Sequence, residues 1–257
     1  MSPFLFVPYA TDFRVAVRGR LGQVLPMPRT ARAMVSNGHY HAMNRANNRA
    51  TIFHSDDDYS HFLSLICRAQ QRIPLRLLAA CLMPNHVHLV VAQDEARDLS
   101  RWMQWLLTVH AHEYNQRWDN CGRVWQGRYK AFPIQHDGHL LSVIRYVERN
   151  AMRAGLVDRA EAWDWGSLSW RLGRSPGPAL AQPPCQLPAN WVDFVNDPQS
   201  CEELKAIRTC ARRQRPYGSD QWAEASAAEL GLLSSVRGVG RPRGSRNRQP
   251  ATKAGRD

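Results

Sequence analysis

Two apolar runs, Leu75 to Met83 and His86 to Ala92, are separated only by Pro84-Asn85. A Pro-Asn pair is a turn signal, and runs of this length on either side of one read as adjacent antiparallel strands. A lone hairpin is not stable in water, so this one needs further strands and covering helices. His39 to Arg45 supplies a strand, and the bend after it, Ala46-Asn47-Asn48-Arg49, is rich in turn-forming Asn. Ser55 reads as the cap of a helix with Asp56, Asp57 and Asp58 in its first turn, and Tyr59, Phe62, Leu63 and Ile66 form its apolar stripe. That helix should end before Pro74. A longer helix opens at Ser100 and runs to about Trp118, with Trp102, Trp105, Leu106 and Val109 at helical spacing. Ala131 to Gln135 reads as a fourth strand, and Asp137 or Gly138 opens a helix that closes on Gly155 as its C-cap. The order matches an α+β fold: a ferredoxin-like (RRM-like) antiparallel sheet with helices on one face and its other face open to a ligand. A small C-terminal helical and basic extension follows.

The chain divides by composition. Residues 1–26 show no clear periodicity, and Met27-Pro28-Arg29 reads as an alternative start, so this stretch is expected to be a non-native or disordered extension. Residues 27–172 hold the α+β domain and 173–190 a Pro-rich linker. Residues 191–235 form a small helical region, and 236–257 a basic disordered tail. From Cys201 to the end there are 12 Lys or Arg against 6 Asp or Glu. The segment around Arg241 and Arg243 resembles a basic arm that enters a minor groove, or else is a solvated tail.

A net charge of +12 over 257 residues points to a polyanionic partner, because clustered cations gain affinity by releasing counterions from phosphates. No stretch is apolar enough to span a bilayer, so nucleic acid is favoured over membrane. The six cysteines show no CxxC spacing and are expected to be reduced, consistent with a cytoplasmic, nucleoid-associated protein.

The chain contains three His-x-His triplets. His110-Ala111-His112 falls on a helix, where residues two apart diverge and cannot share one ion. His39-Tyr40-His41 falls on a strand and reads as edge-strand polar residues, kept as a fallback. His86-Val87-His88 sits on a strongly apolar strand, where residues two apart project from one face and two imidazoles can share a metal ion. Satisfied core histidines are the alternative. On the last helix of the domain, Tyr146 and Asn150 are four apart and share a face, so a hydroxyl could stand beside a carboxamide ligand. Tyr59 and Tyr114, by contrast, are followed at that spacing by Leu63 and Trp118. Arg145, Arg149 and Arg153 make the surface around Tyr146 basic. Trp125 and Tyr129, interleaved with Arg117, Arg128 and Lys130, offer stacking faces and charge suited to single-stranded DNA, or else form core and solvated rim.

Taken together, Tyr40-His41-Ala42-Met43-Asn44-Arg45, Met83-Pro84-Asn85-His86-Val87-His88, Trp125-Gln126-Gly127-Arg128-Tyr129-Lys130 and Tyr146-Val147-Glu148-Arg149-Asn150 resemble the REP-associated tyrosine transposases. These are relatives of the single-tyrosine HUH transposases of bacterial insertion sequences. The likeness runs from about Met27 to Trp170, and the motifs are specific in combination and order. The resemblance implies His86 and His88 as paired metal ligands, Asn150 as a third and Tyr146 as nucleophile. It also implies a divalent ion, Mg²⁺ or Mn²⁺, and single-stranded or hairpin DNA at palindromic repeats as partner, handled by a monomer or homodimer. The chemistry implied is nicking and rejoining through a 5′-phosphotyrosine. Arg45, Arg49, Arg117, Trp125, Arg128, Tyr129, Lys130, Arg145, Arg149, Arg241 and Arg243 are expected to contact the DNA. Two residues depart from the pattern: Ala46 stands where a glycine is usual, and Ala151 where a proline is expected after Asn150. The rival reading is a DNA-binding protein that recognises palindromic hairpins without cutting them.

Overall fold

A computed structural model describes residues 34–237 and, ahead of them, two short strands, β1 (Val17–Arg18) and β2 (Val24–Leu25). These two pair antiparallel within a small unit of their own, and a second unit begins at Ala33. The expected tail contacts Arg241 and Arg243 lie outside the described residues.

The second unit opens with β3 (His39–Arg45), α1 (Asp56–Arg72), β4 (Leu75–Met83), β5 (His86–Gln93), α2 (Asp98–Arg117), β6 (Lys130–Ile134) and α3 (Gly138–Glu148). The bend after β3 holds Asn48 and Arg49 at φ of 52° and 57°, a left-handed geometry that Asn tolerates better than most residues. α1 starts where the Asp58 carboxylate accepts from the His54 and Ser55 backbone N–H groups, occupying donors that a helix start leaves unpaired. α3 starts where Asp137 accepts from the His139 N–H. The four-stranded sheet has the order β4-β5-β3-β6, with every neighbouring pair antiparallel. This is the α+β class expected, with the ferredoxin-like strand order.

Side chains alternate across each strand, so the sheet has two distinct faces. Tyr40, Ala42, Leu82, Leu89 and Val91 pack with Phe62 and Leu65 of α1 and Trp102 and Met103 of α2. Cys81, Val90 and Phe132 pack with Leu140, Val143, Ile144 and Val147 of α3. The face expected to be open is therefore covered by α3. The physical reason is visible in β4, which is buried along its length apart from Arg76. A strand that is apolar on both faces must be covered on both.

Beyond α3 come α4 (Asn150–Arg153), α5 (Ser167–Arg171), α6 (Trp191–Asn196), α7 (Cys201–Arg213) and α8 (Asp220–Glu229). The Glu148 carboxylate, wholly buried, accepts from Ser167, Arg171 and Trp191 and so ties α3 to α5 and α6. A buried charge is tolerated only when it is paired and hydrogen-bonded like this. Residues 174–190 lie along the core, with Ala181 N–H donating to the Leu77 carbonyl at 2.8 Å. α7 buries Ile207 and Cys210 in the α3 core, and Tyr217 then pairs with the β6 edge through Pro133 and Gln135. Among the described residues no helix is long and apolar enough to cross a membrane.

Candidate active site

At one end of the sheet, β3 finishes, β5 starts and β6 starts, because the antiparallel register pairs Arg45 with His86 and Met43 with both His88 and Lys130. A cleft of about 590 Å³ opens there. His86 and His88 reach it from β5, Tyr146 from α3 and Asn150 from α4. The two imidazole rings are 5.0 Å apart, and the His88 and Tyr146 rings 6.2 Å apart.

Each cleft histidine has one ring nitrogen already engaged. His86 Nδ1 meets Asn85 Oδ1 at 2.7 Å, and an amide oxygen only accepts, so Nδ1 carries the proton and Nε2 the lone pair. His88 Nδ1 meets His41 Nε2 at 2.9 Å, the rings stacked 13° from parallel. His41 itself is wholly buried, with no partner on Nδ1 among the described residues. Burial pushes His86 down to about 4 and His41 to about 3, aided at His86 by the Arg45 and Arg153 charges. His88 is lowered well below the usual histidine range, first by burial and then by its neighbours His41 and His86. All three are therefore neutral near pH 7, the form in which imidazole ligates metal.

Arg153 completes the arrangement. Its guanidinium lies 4.1 Å from the centre of the Tyr146 ring and donates to Asn150 Oδ1 at 2.6 Å and to the Tyr146 carbonyl at 3.2 Å. Asn150 Nδ2 is buried without a partner among the described residues. α3 ends at Glu148, and Arg149, at φ −80° and ψ −1°, joins it to α4 with little change of direction. Without a proline at Ala151 the chain continues helically to Gly155, whose φ of 71° closes the turn. The donor set fits a divalent ion: His86 Nε2, His88 Nε2 in the tautomer that donates from Nδ1 to His41, and a carboxamide whose oxygen has a second lone pair besides the one facing Arg153.

The lining includes Arg45, Arg128, Lys130, Arg153, Arg208 and Arg212 and contains no carboxylate. Residues 34–150 match the family model described as Transposase IS200 like. This segment is similar to the IS200-like transposases. A Haemophilus influenzae protein named as a REP-associated tyrosine transposase is 24% identical over 123 residues, covering 44% of this chain and 69% of that protein. Among solved structures, a REP-associated tyrosine transposase bound to a REP hairpin has a TM-score of 0.48 and 17% identity, covering 58% of this chain and 87% of that one. A Deinococcus radiodurans R1 protein described as a transposase has a TM-score of 0.35 and 16% identity, covering 48% and 97%.

Of the residues expected to meet DNA, the fold brings Arg45, Arg128 and Lys130 into the cleft. The other described ones lie outside it. Trp125 is 7% exposed and packed against Phe62 and His110, and Tyr129 is buried with its hydroxyl 3.0 Å from Ser100 Oγ, so neither offers a ring for stacking. Arg117 pairs with Asp57 and Asp58, and Arg49 is exposed outside the cleft lining. Arg145 and Arg149 turn away: they donate to the Asp197, Val195 and Asn196 carbonyls, and Arg145 lies over Phe194. A helix end leaves such carbonyls unpaired, so both arginines serve to hold α6. Arg208 and Arg212 were not singled out by the sequence, which offered Arg153 only as part of a basic surface and His41 only in a fallback triplet. The register between β3 and β5 would have exposed His41, since it sets His41 diagonal to His88 on the same face.

Proposed function

We propose that this protein is a metal-dependent DNA transesterase that nicks and rejoins single-stranded or hairpin DNA at repetitive extragenic palindromes through a 5′-phosphotyrosine. The observation that carries the reading is the convergence of Tyr146, His86, His88 and Asn150 from three elements in one cationic cleft free of carboxylates. The Tyr146 oxygen attacks the scissile phosphorus, the bond to the 3′ oxygen breaks, and a 3′ hydroxyl leaves. The phosphodiester energy is kept in the tyrosyl ester, so a 3′ hydroxyl can reverse the step and rejoin the strand.

His86 and His88, with Asn150, would hold Mg²⁺ or Mn²⁺, which when bound polarises a non-bridging phosphate oxygen. Arg153, stacked on the Tyr146 ring, stabilises negative charge on the phenol as its proton leaves. Arg45, Arg128 and Lys130 hold the flanking backbone. Tyr146 and both histidines come from one chain, so a monomer can carry a complete site. The name of the Haemophilus influenzae relative, a REP-associated tyrosine transposase, supports REP elements as the substrate.

The test is labelled hairpin DNA with Mn²⁺. A denaturant-resistant protein–DNA adduct is expected from the native protein and none from Tyr146→Phe. An adduct in Tyr146→Phe, or none in the native protein, overturns the nucleophile assignment.

A further inference from the structure

α7 lies beyond the residues that match the transposase family, yet it forms a wall of the cleft through Arg208 and Arg212. Outside the cleft a second groove of about 440 Å³ runs along the same helix, lined by Lys205 and Thr209 and sharing Arg208 and Arg212. Lys205, Arg208 and Arg212 are spaced i, i+3 and i+7, so they share one helix face. All three are exposed, and among the described residues none is paired with a carboxylate. Arg208 is also close enough to Arg153 for the two positive charges to repel. Like charges gathered without a counter-ion destabilise the free protein and are relieved by a bound polyanion.

We propose that this face of α7 is the track for the single-stranded flank on one side of the scissile phosphate. Its cations contact successive backbone phosphates, and Leu204 and Thr209 lie against sugar and base. The inference rests on the strand-cleavage reading above for what enters the cleft. Continuity with the cleft decides for nucleic acid over an acidic protein, because the cleft and the groove share Arg208 and Arg212, so a strand held at Tyr146 can run on along α7. The face spans seven residues, about 10 Å at 1.5 Å per residue, enough for about three stacked nucleotides. α7 is anchored by buried Ile207 and Cys210 and by the approach of Arg145 to Glu203, so the track is fixed relative to the nucleophile.

The experiment measures equilibrium binding of the full chain to hairpins carrying no flank, a 5′ flank or a 3′ flank, across a salt series. The native protein should bind one flanked hairpin more tightly than the unflanked one. Lys205→Ala/Arg208→Ala/Arg212→Ala should abolish that increment and lower the log–log salt slope by about 0.7 for each phosphate no longer neutralised. Lys205→Arg/Arg208→Lys/Arg212→Lys should keep both, and thermal unfolding checks that the exposed substitutions leave the fold intact. An unchanged increment and slope in the alanine variant overturn the proposal, as does an equal loss on all three hairpins. Binding is read without cleavage, so a native protein that forms no adduct yet loses the increment in the variant refutes the cleavage reading alone.

Discussion

His41 gives a quantitative handle on the cleft. Its Nε2 lies 2.9 Å from His88 Nδ1, and both rings are neutral, so a single hydrogen lies between them. If that hydrogen is on His88 Nδ1, the His88 Nε2 lone pair faces the cleft and can take an ion; if it is on His41, His88 carries its proton on Nε2 and cannot. Replacing His41 by Phe keeps an aromatic ring against Phe132 and Tyr146 but removes the acceptor. The Nδ1–H of His88 is then buried without a partner, which costs about 1–3 kcal/mol, and His88 escapes by moving the proton to Nε2. Removing such a supporting acceptor typically weakens metal binding about 10–100-fold, equivalent to about 1.4–2.8 kcal/mol. Titration with Mn²⁺ by calorimetry should show that weakening in His41→Phe, with partial recovery in His41→Gln, whose amide oxygen restores an acceptor. Thermal unfolding of both variants separates the effect from general destabilisation. Native Mn²⁺ affinity in a folded His41→Phe protein would refute the tautomer argument.

Further outcomes follow from the same structure. His110 is buried among Phe53, Phe62 and Trp125 and pushed down to about 3, so between about pH 6.5 and 3 the unfolded chain binds a proton that the folded one refuses. Its contribution is complete above pH 6.5 and is lost on acidification by up to about 1.4 kcal/mol per pH unit; His110→Phe should unfold less steeply with acid, and parallel curves would contradict this. Trp125→Ala should cost about 3–5 kcal/mol in denaturant unfolding while leaving the salt slope of DNA binding unchanged, because the ring is core and not a stacking platform. Gly155→Ala meets no atom within 4 Å, so its expected loss of about 1 kcal/mol is purely the cost of φ 71°; an unchanged melting curve would show that the turn after α4 relaxes freely.

Where the sequence carried its own punctuation, it could be read closely. Pro84-Asn85, Ser55 with its three aspartates, Pro74, Asp137 and Gly155 each mark an element end by local chemistry, and β4 runs from Leu75 to Met83 as expected. What local pattern does not contain is register. The partnership of His41 with His88 depends on how two strands nearly fifty residues apart slide along each other. The same blindness affected the aromatic and basic loop, where Trp125 and Tyr129 look like stacking residues until Phe62, His110 and Ser100 close over them. Arginines were hardest, because a long side chain can point either way from its backbone. Arg145, Arg149 and Arg153 lie at helical spacing on one stretch, yet two reach the carbonyls near the end of α6 and only the third reaches Tyr146.

The helix that covers the second sheet face also dictates how a strand of DNA can approach. RRM-type proteins lay bases flat on an exposed sheet and read them by stacking. Here that surface is occupied by Leu140, Val143, Ile144 and Val147, and among the described residues the cleft opens at the rim where β3 ends and β5 begins. Contact at a rim favours phosphate over base, and the groups waiting there are guanidinium, ammonium and imidazole. If the proposed function holds, such a protein grips the backbone at the cutting point, and its sequence preference is then set by parts of the chain away from Tyr146.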